Sequence, residues 1–433
     1  MSTSATSFDY VIVGSGSAGC VLANRLSKDP AVRVCVLEAG PPDRNPLIHM
    51  PMGIVYMMMS KTLNWRYFTE PQQQLHGRRL FWPRGKTLGG SSSSNAMVYT
   101  RGHPSDYDTW AALGNPGWSW RELLPLFIRN ENYEGGASSL RGSGGPLNVA
   151  EQRTPNLLTG VYLQACRQAG YRDNADFNGP EQEGVGRYQL TQKNGQRWSA
   201  ARAYLHPAAS RPNLTILTGA RATRILLEGK RATGVTYWQD GREHSVTATR
   251  EVLLCGGAIN SPQLLMLSGI GDPEELTRHG IALRHALPGV GKNLQDHLDV
   301  LVVQRCTQHV SLGISWRTLL HHPVHLLNYL LFKKGPLTTN GAEGGGFIKS
   351  DPAQAIPDLQ LHFTPAHLYD HGHTPRLAWN TLVGHGYALH VCDLRPKSRG
   401  RIGLHSADPL ADARIEPDYL ADPADMDTML KGL

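Results

Sequence analysis

Residues 9–40 read DYVIVGSGSAGCVLANRLSKDPAVRVCVLEAG, and this stretch decides the fold. The apolar, β-branched run at residues 10–13 predicts a strand, and it leads directly into GSGSAG at residues 14–19. A helix is predicted next, followed by a second apolar run at residues 33–37 that ends in Glu38. A Gly-x-Gly-x-x-Gly turn between strand and helix, with an acidic residue ending the next strand, is typical of a dinucleotide-binding unit.

Each glycine of this turn has its own predicted role. Gly14 makes the tight turn, Gly16 lets a pyrophosphate approach the backbone, and Gly19 allows close packing of helix on strand. The helix N-terminus offers N–H donors to the phosphates. Glu38 is expected to bind a ribose diol, and its charge disfavours the 2′-phosphate of NADP. The unit alone leaves NAD and FAD open.

A second glycine-rich block, RGKTLGGSSSSNAMV, occupies residues 84–98. It is compatible with a flexible linker or with backbone pressed against a flat ligand. The apolar residues 96–98 that follow favour a packed site, because a flexible linker would be polar on both sides.

A third block, VLLCGGAINSPQLLMLSGIG at residues 252–271, predicts a buried strand, a glycine turn and a helix. Ser261 is the expected N-cap, Pro262 the first helical residue and Gly269 the stop. This second helix N-terminus is also a candidate for contact with a cofactor.

Composition narrows the class of protein. The chain has 433 residues, enough for two or three domains, and its net charge of +7 is a modest excess spread along the sequence. A nucleic-acid partner is therefore not expected, and the alternating basic residues 395–401 are interpreted as the solvated face of a strand. The six dispersed cysteines and the absence of a signal peptide predict a cytoplasmic protein.

The most apolar stretch, residues 319–332, is interrupted by three histidines, a proline and an asparagine. It predicts a helix that ends before Lys333-Lys334-Gly335-Pro336. A core or inter-domain position is favoured, and contact with the inner face of a membrane is the alternative.

Taken together, these motifs resemble the glucose–methanol–choline (GMC) oxidoreductases, in particular bacterial choline-dehydrogenase-like proteins. The resemblance spans nearly the whole chain, through VGSGSAG at 13–19, LEAG at 37–40, Asn64-Trp65, GKTLGGSS at 85–92 with Asn95, RG at 101–102 with DYDTW at 106–110, NSPQ at 260–263, PGVG at 288–291 with NLQDH at 293–297, and RPKSRG at 395–400. It makes FAD the expected cofactor.

The family resemblance implies an α/β fold in which a Rossmann-like FAD-binding domain is interleaved with an α+β substrate domain built on an antiparallel sheet. The expected FAD domain comprises residues 1–155 and 206–300, without its last part, and the substrate domain comprises 156–205 and 301–433. The implied cofactor-binding residues are Gly14, Ser15, Gly16, Ser17, Ala18, Gly19, Glu38, Ala39, Trp65, Gly85, Leu88, Gly89, Gly90, Ser92, Asn95, Ala96, Met97, Val98, Ala222 and Gly257.

Two positions depart from the family pattern. Ala222 stands where the family usually has a valine whose backbone contacts the adenine, and a backbone contact survives that change. Ser94 stands where some members have a histidine bonded covalently to the flavin, so the FAD is predicted to be non-covalent. Residues 95–98 are expected nearest the isoalloxazine ring.

The implied reaction moves a hydride from the alcohol carbon to flavin N5 and a proton from oxygen to a base. In the family the base is a histidine near the C-terminus, in a segment that also carries a Met-Gly pair. His385, His390 and His405 do not occur in that context, so the base is expected beyond Leu433 and the chain is expected to be truncated and inactive. No catalytic residue is therefore assigned.

Glu343 matches a glutamate of choline-dehydrogenase-like proteins and is the candidate for the substrate pocket, where a carboxylate favours a cationic alcohol. Asp296-His297 is interpreted as a structural pair. His371, His373, His321 and His322 lack further ligands at zinc spacing, so no metal is expected.

The predicted function is an FAD-dependent oxidoreductase acting on choline or another primary alcohol, with a quinone or other acceptor. An oxidase using oxygen, a hydroxynitrile lyase and an inactive FAD-binding fragment are the alternatives. The sequence leaves the oligomeric state open.

Overall fold

The computed structural model describes residues 6–313, 315–367 and 383–433. The strands are β1 (Thr6–Val13), β2 (Val34–Glu38), β3 (Tyr67–Phe68), β4 (Phe81–Trp82), β5 (Glu131–Tyr133), β6 (Leu147–Val149), β7 (Gly184–Arg187), β8 (Gln192–Lys193), β9 (Gln196–Arg197), β10 (Leu214–Thr218), β11 (Arg221–Glu228), β12 (Arg231–Gln239), β13 (Arg242–Leu254), β14 (Ile270–Gly271), β15 (His285–Ala286), β16 (Lys292–Leu294), β17 (Asp299–Arg305), β18 (Gly344–Ile348), β19 (Leu359–Thr364), β20 (Gly386–Asp393), β21 (Gly400–Leu404) and β22 (Ala413–Glu416). The α-helices are α1 (Ser17–Leu26), α2 (Pro46–His49), α3 (Ile54–Met59), α4 (Pro104–Ala112), α5 (Trp120–Asn130), α6 (Leu157–Gln168), α7 (His206–Ala208), α8 (Gly257–Leu267), α9 (Pro273–Arg278), α10 (Trp316–Phe332) and α11 (Pro423–Gly432). Short 3-10 helices span Pro51–Gly53, Gln73–Leu75, Gly90–Ser93 and Pro336–Thr338, and Ala201–Leu205 is a π-helix.

The first sheet has six strands in the order β10-β2-β1-β13-β12-β11. The first four run parallel, and β12 and β11 extend the sheet in antiparallel pairing. Ile12 and Val36 face α1 and the π-helix, whereas Val11 and Leu37 pack towards β12 and α8. Because both faces are covered, the strands read as continuous apolar runs. The strand–helix–strand unit predicted for residues 9–40 is confirmed.

The second sheet has five strands in the order β17-β20-β19-β18-β7, all antiparallel. The alternating stretches predicted as two strands of one sheet are its neighbouring strands β19 and β20. β7 is contributed by a segment that precedes the rest of the sheet by more than 100 residues. The chain thus interleaves a parallel-based and an antiparallel layer, as the resemblance implies.

A third sheet, in the order β16-β21-β22, packs on α8. Ile402 and Ile415 of this sheet share one buried cluster with Ile259 and Met266 of the helix. The segment that carries β21 and β22 therefore rests against the first sheet's own helix. The division into the two discontinuous domains stays a prediction.

The start of α8 differs from the prediction. The helix begins at Gly257 and not at Ser261, so Pro262 lies inside it. β13 ends at Leu254, and two glycines let the chain turn directly into the helix. Pro262 has no N–H, so the carbonyl of Ala258 loses the helical partner that it would otherwise have. Gly269, at φ +83°, follows the helix end as predicted.

Two other expectations are wrong. Residues 394–399 are irregular, and among the alternating basic residues only Arg401 lies in a strand. The helix α10 ends at Phe332 as predicted. Most of its described side chains are exposed and only Tyr329 among them is buried, so the expected core position is wrong, whereas an inter-domain position stays a prediction. In the described ranges no helix combines the length and apolarity needed to cross a bilayer.

Candidate functional site

A cavity of about 500 Å³ opens where the carboxyl ends of β1, β2 and β13 meet. Parallel pairing brings these three ends together, since Val13 lies beside both Leu37 and Leu254. In open parallel sheets this edge is where ligands bind. The cavity is lined by Val13, Gly14, Gly16, Ser17, Ala18, Leu37, Glu38, Ala39, Trp65, Arg84, Gly85, Gly90, Ser91, Ala220, Arg221, Ala222, Leu254, Cys255, Gly256, Gly257, Ala258, Ile259, Asn260, Ser261, Gln263, Leu264, Leu267 and Pro409.

The three glycines of the first turn differ in what surrounds them. Gly14 has φ +94°, and a Cβ there would lie 2.6 Å from the carbonyl oxygen of Cys255. A Cβ on Gly19 would lie 1.9 Å from the carbonyl oxygen of Gly14. At Gly16 the nearest atom is the Cys255 oxygen, 3.8 Å away, so this residue presents open backbone to the cavity. The predicted tight turn and close helix packing are confirmed, and the approach of a pyrophosphate stays a prediction.

Two helix N-termini meet at this cavity. α1 begins at Ser17 and α8 at Gly257, and both residues line the wall. A Cβ on Gly257 would have no heavy atom within 4 Å, so the space in front of this terminus is open. The first N–H groups of a helix lack internal partners and attract anions. The paired termini are suited to the two phosphates of a dinucleotide.

Glu38 is buried at the end of β2, where it binds the glycine turn. Its Oε2 accepts hydrogen bonds from Ser15 N at 3.0 Å and Ser15 Oγ at 2.6 Å, and its Oε1 accepts one from Gly40 N at 2.8 Å. Burial raises the pKa of this carboxyl, and the three donors oppose that shift. Glu38 therefore fixes the shape of the turn while one edge still lines the cavity.

The glycine–serine block packs directly on the first turn. Gly89 N donates to the carbonyl of Ser15 at 2.9 Å, and a Cβ on Gly90 would lie 2.8 Å from the Cα of Gly16. Both Gly89 and Gly90 have positive φ, at +90° and +54°, which other residues adopt at a cost. The alternative of a flexible linker is therefore wrong. The block is packed as expected, and its contact with a flat ligand stays a prediction.

Cationic side chains at the cavity were missed by the sequence analysis. Arg84 and Arg221 line the wall, and Trp65 lies between Lys86 Nζ, 4.6 Å from its ring centroid, and the Arg221 guanidinium, at 5.2 Å. Arg221 also donates to the carbonyls of Leu410 and Ala411 at 3.0 Å. Arg84 begins the second glycine-rich block, which indicates its position at the site, whereas Arg221 lies outside the glycine motifs and only the sheet geometry reveals it.

The structure brings eleven of the predicted cofactor-binding residues to the cavity wall and places nine outside it. Those that line the cavity are Gly14, Gly16, Ser17, Ala18, Glu38, Ala39, Trp65, Gly85, Gly90, Ala222 and Gly257. Those that do not are Ser15, Gly19, Leu88, Gly89, Ser92, Asn95, Ala96, Met97 and Val98. The backbones of Ser15 and Gly89 nevertheless form a hydrogen bond with each other directly behind the wall.

Residues 95–98 connect the glycine–serine block to the second sheet. Met97 has φ +59°, and its side chain is fully buried against Tyr188 and Phe347. Asn340 Nδ2 donates to the carbonyl of Ala96 at 2.8 Å. Contact of this segment with an isoalloxazine ring stays a prediction.

The carboxylate of Glu343 binds the start of α6. Its Oε2 accepts hydrogen bonds from Asn156 N and Thr159 Oγ1, both at 2.7 Å, and its Oε1 accepts one from Thr339 Oγ1 at 2.6 Å. The residue is buried and does not line the cavity. Its role in substrate selection stays a prediction.

The remaining candidates lie in local networks. The hydroxyl of Tyr419 donates to Asp296, and Trp82 Nε1 donates to Tyr419 at 3.1 Å. His385 lies between Ser311 Oγ at 3.0 Å and Ser315 Oγ at 3.1 Å, away from the cavity wall. In residues 6–313, 315–367 and 383–433 no three His, Cys, Asp or Glu side chains converge as a metal site. His371 and His373, at which no metal is expected, fall outside the described residues.

The cavity residues fit FAD. The open backbone at Gly16, the two helix N-termini and the cations Arg84 and Arg221 suit a pyrophosphate. The carboxylate of Glu38 suits a ribose.

Comparisons with known proteins identify the family of the chain. The family model of the GMC oxidoreductases matches residues 8–299. The chain is 53% identical over 429 residues to an alcohol dehydrogenase [acceptor] of Pseudomonas putida, covering 98% of this chain and 77% of that protein. It is 45% identical over 433 residues to human mitochondrial choline dehydrogenase, covering 98% and 72%. The crystal structure of pyridoxine 4-oxidase from Mesorbium loti superposes with a TM-score of 0.84 at 31% identity, covering 98% and 79%.

Proposed function

The chain belongs to the GMC oxidoreductases, which use FAD, and from that premise we propose that it oxidises the CH–OH group of choline or another primary alcohol. The observation that carries the proposal is the cavity at which an open glycine backbone, two helix N-termini and a buried carboxylate meet. The glycine backbone and the two helix N-termini match the pyrophosphate of a dinucleotide, and the carboxylate matches its ribose.

Under this proposal, different residues of the chain bind different parts of the FAD. Gly16 and the N-termini of α1 and α8 hold the pyrophosphate, Glu38 holds the adenosine ribose, and the backbone at Ala222 contacts the adenine. Residues 95–98 support the isoalloxazine ring. When bound, FAD accepts a hydride from the alcohol carbon.

The proton of the alcohol hydroxyl needs a base as well. Within the described chain the cavity wall contains no histidine, so none of the described histidines is assigned this role. The resemblance assigns the role of base to a histidine near the C-terminus of the family's proteins. Because the chain covers 77% and 72% of the lengths of the two relatives, we propose that the base is a histidine outside these 433 residues.

The first experiment measures FAD binding by the purified 433-residue chain. We expect the yellow colour to stay with native protein and to be released by acid, because Ser94 cannot form the covalent bond that a histidine forms. Failure to bind FAD would refute the proposal. Colour that stays with the acid precipitate would contradict the non-covalent prediction only.

The second experiment tests the reaction and its class. Anaerobic addition of a primary alcohol to the product of the full reading frame should bleach the flavin, which a hydroxynitrile lyase would not do. Comparing oxygen with a quinone or dye as acceptor then separates oxidase from dehydrogenase; we expect the dye to be preferred. The 433-residue chain alone should bind FAD without turnover, and reduction of the dye by this chain would contradict the assignment of the base.

We also propose a cytoplasmic location with contact between α10 and an anionic membrane surface. Leu320, Val324, Leu327 and Leu331 recur on one side of the helix and are 56–70% exposed. The sequence has no acidic residue between Asp299 and Glu343, and Lys333-Lys334 follow the helix. An apolar stripe with basic flanks favours an anionic bilayer.

Cosedimentation with anionic lipid vesicles tests this contact. Leu320→Glu with Leu327→Glu should release the protein from the vesicles. Leu113→Glu is the matched control, because Leu113 is 76% exposed at the end of α4 and should leave binding unchanged. Equal binding by all three proteins would exclude α10 as the contact surface.

A further inference from the structure

Arg197 is a fully buried arginine that lies directly behind the glycine–serine block. Its Nε donates to the carbonyl of Ile48 at 2.9 Å. Its Nη1 donates to the carbonyl of Ser92 at 3.2 Å and to the backbone and side-chain oxygens of Asn95 at 2.7 and 2.9 Å. One guanidinium therefore fixes the turn that precedes residues 95–98.

Among the described residues, no carboxylate is paired with this cation. Within the described residues, Nη2 of Arg197 is buried without a hydrogen-bond partner and the side chain forms no salt bridge. Arg141, which is also buried, instead contacts both Glu131 and Asp176 at 2.7 Å. The fold thus compensates one buried arginine with carboxylates and leaves the other uncompensated. Burial lowers the pKa of Arg197 to about 9, in keeping with that isolation.

The other side of the same turn is open. Ser91 and Asn95 are exposed, and Ser91 lines the cavity with Gly90. The guanidinium is therefore separated from the open surface by a single layer of backbone. A charge buried behind such a layer acts through a medium that screens it less than water does.

We propose that Arg197 is a positioning residue whose uncompensated charge favours the reduced, more negative form of FAD. The inference rests on the proposed placement of the isoalloxazine ring against residues 95–98. Addition of a hydride, which carries two electrons and one proton, would give the neutral isoalloxazine ring one negative charge. A nearby fixed cation stabilises that product, and charge near the ring is a recognised means of tuning a flavin.

The test is a reductive titration of the FAD-loaded protein against a reference dye, which needs no turnover. Arg197→Gln keeps a donor but removes the charge, and it should make reduction at least tenfold less favourable, about 30 mV for a two-electron couple. Arg197→Lys keeps the charge and should stay within threefold of wild type. Arg202→Gln is the control, because Arg202 is half-buried, donates to Gln196 and Arg197, and does not line the cavity.

A purely structural residue would give a different pattern. FAD reduction within twofold of wild type in Arg197→Gln would overturn the proposal, and so would loss of FAD from both Arg197 variants. Sulfite affinity gives an independent readout, since sulfite also adds negative charge to the flavin, and it should fall at least tenfold in Arg197→Gln only. Failure of the wild-type chain to bind FAD would instead refute the proposed function.

Discussion

Two alanine substitutions in the first glycine turn are expected to separate stability from cofactor binding. Gly16 and Gly19 are three residues apart, but a Cβ on Gly19 would lie 1.9 Å from the Gly14 carbonyl oxygen, whereas a Cβ on Gly16 would meet only the Cys255 oxygen at 3.8 Å. Gly19→Ala should therefore damage the fold, and Gly16→Ala should place a methyl group in the open part of the cavity.

The magnitudes follow from these distances. At Gly19 the methyl group needs about 1.5 Å more room to reach ordinary contact, so α1 must move away from β1; such overpacking costs about 3 kcal/mol. The gain in helix propensity from glycine to alanine, about 1 kcal/mol, leaves a net loss of about 2 kcal/mol. At Gly16, which has φ −66°, we expect a change in the free energy of unfolding of less than about 1 kcal/mol. FAD affinity should fall at least tenfold, about 1.4 kcal/mol.

The assay is urea unfolding of the FAD-free protein together with an FAD titration of each variant. Gly160→Ala is the control, because Gly160 lies inside α6 and its Cβ would have no heavy atom within 4 Å. It should stabilise the protein by about 1 kcal/mol. The reasoning is refuted if Gly16→Ala binds FAD like wild type, or if Gly19→Ala unfolds at the same urea concentration as wild type.

Three further predictions concern buried charged and titratable groups. Glu343→Gln places an NH₂ group opposite one of the three donors that now bind the carboxylate, so it should destabilise the fold by about 1–3 kcal/mol in thermal unfolding. In the product of the full reading frame it should also lower the preference for choline over a neutral alcohol in steady-state assays, and an unchanged preference would contradict the substrate role. Glu131→Gln leaves the buried Arg101 and Arg141 without their shared carboxylate, so it should lower the free energy of unfolding in urea by about 3–5 kcal/mol. A decrease of less than about 1 kcal/mol would contradict this prediction. Burial lowers the pKa of His362 to about 4, so as the pH falls the unfolded chain binds a proton at this residue before the folded chain does. The free energy of unfolding should therefore fall by up to about 3 kcal/mol between pH 6.5 and pH 4. His362→Phe should flatten that part of the pH–stability curve.

The first 40 residues could be interpreted from sequence because most contacts that define the unit are local. Gly19 packs on the carbonyl of Gly14, and Glu38, at the end of the next strand, binds Ser15; the contact of Gly14 with Cys255 is the exception. Apolar runs mark the two strands and a glycine turn separates the first strand from the helix, so the predicted unit and the observed one agree.

The rest of the site depends on contacts between distant residues. Arg197 follows an ordinary polar segment, and nothing near it indicates burial; its partners Ile48 and Asn95 precede it by 149 and 102 residues. The start of α8 was misplaced for a related reason. Ser261-Pro262 is a good local helix start, but the end of β13 in the sheet fixes the turn at Gly256–Gly257.

The parallel pairing of β1 with β13 has a consequence for synthesis on the ribosome. Val13 pairs with Leu254, so 241 residues must be added before β1 acquires its second neighbour. At 5–20 residues per second this takes roughly 12–48 s. During that interval one apolar edge of the nascent dinucleotide unit is open, and exposed strand edges promote association between chains. We therefore expect the protein to be expressed more efficiently when this edge is covered until β13 emerges.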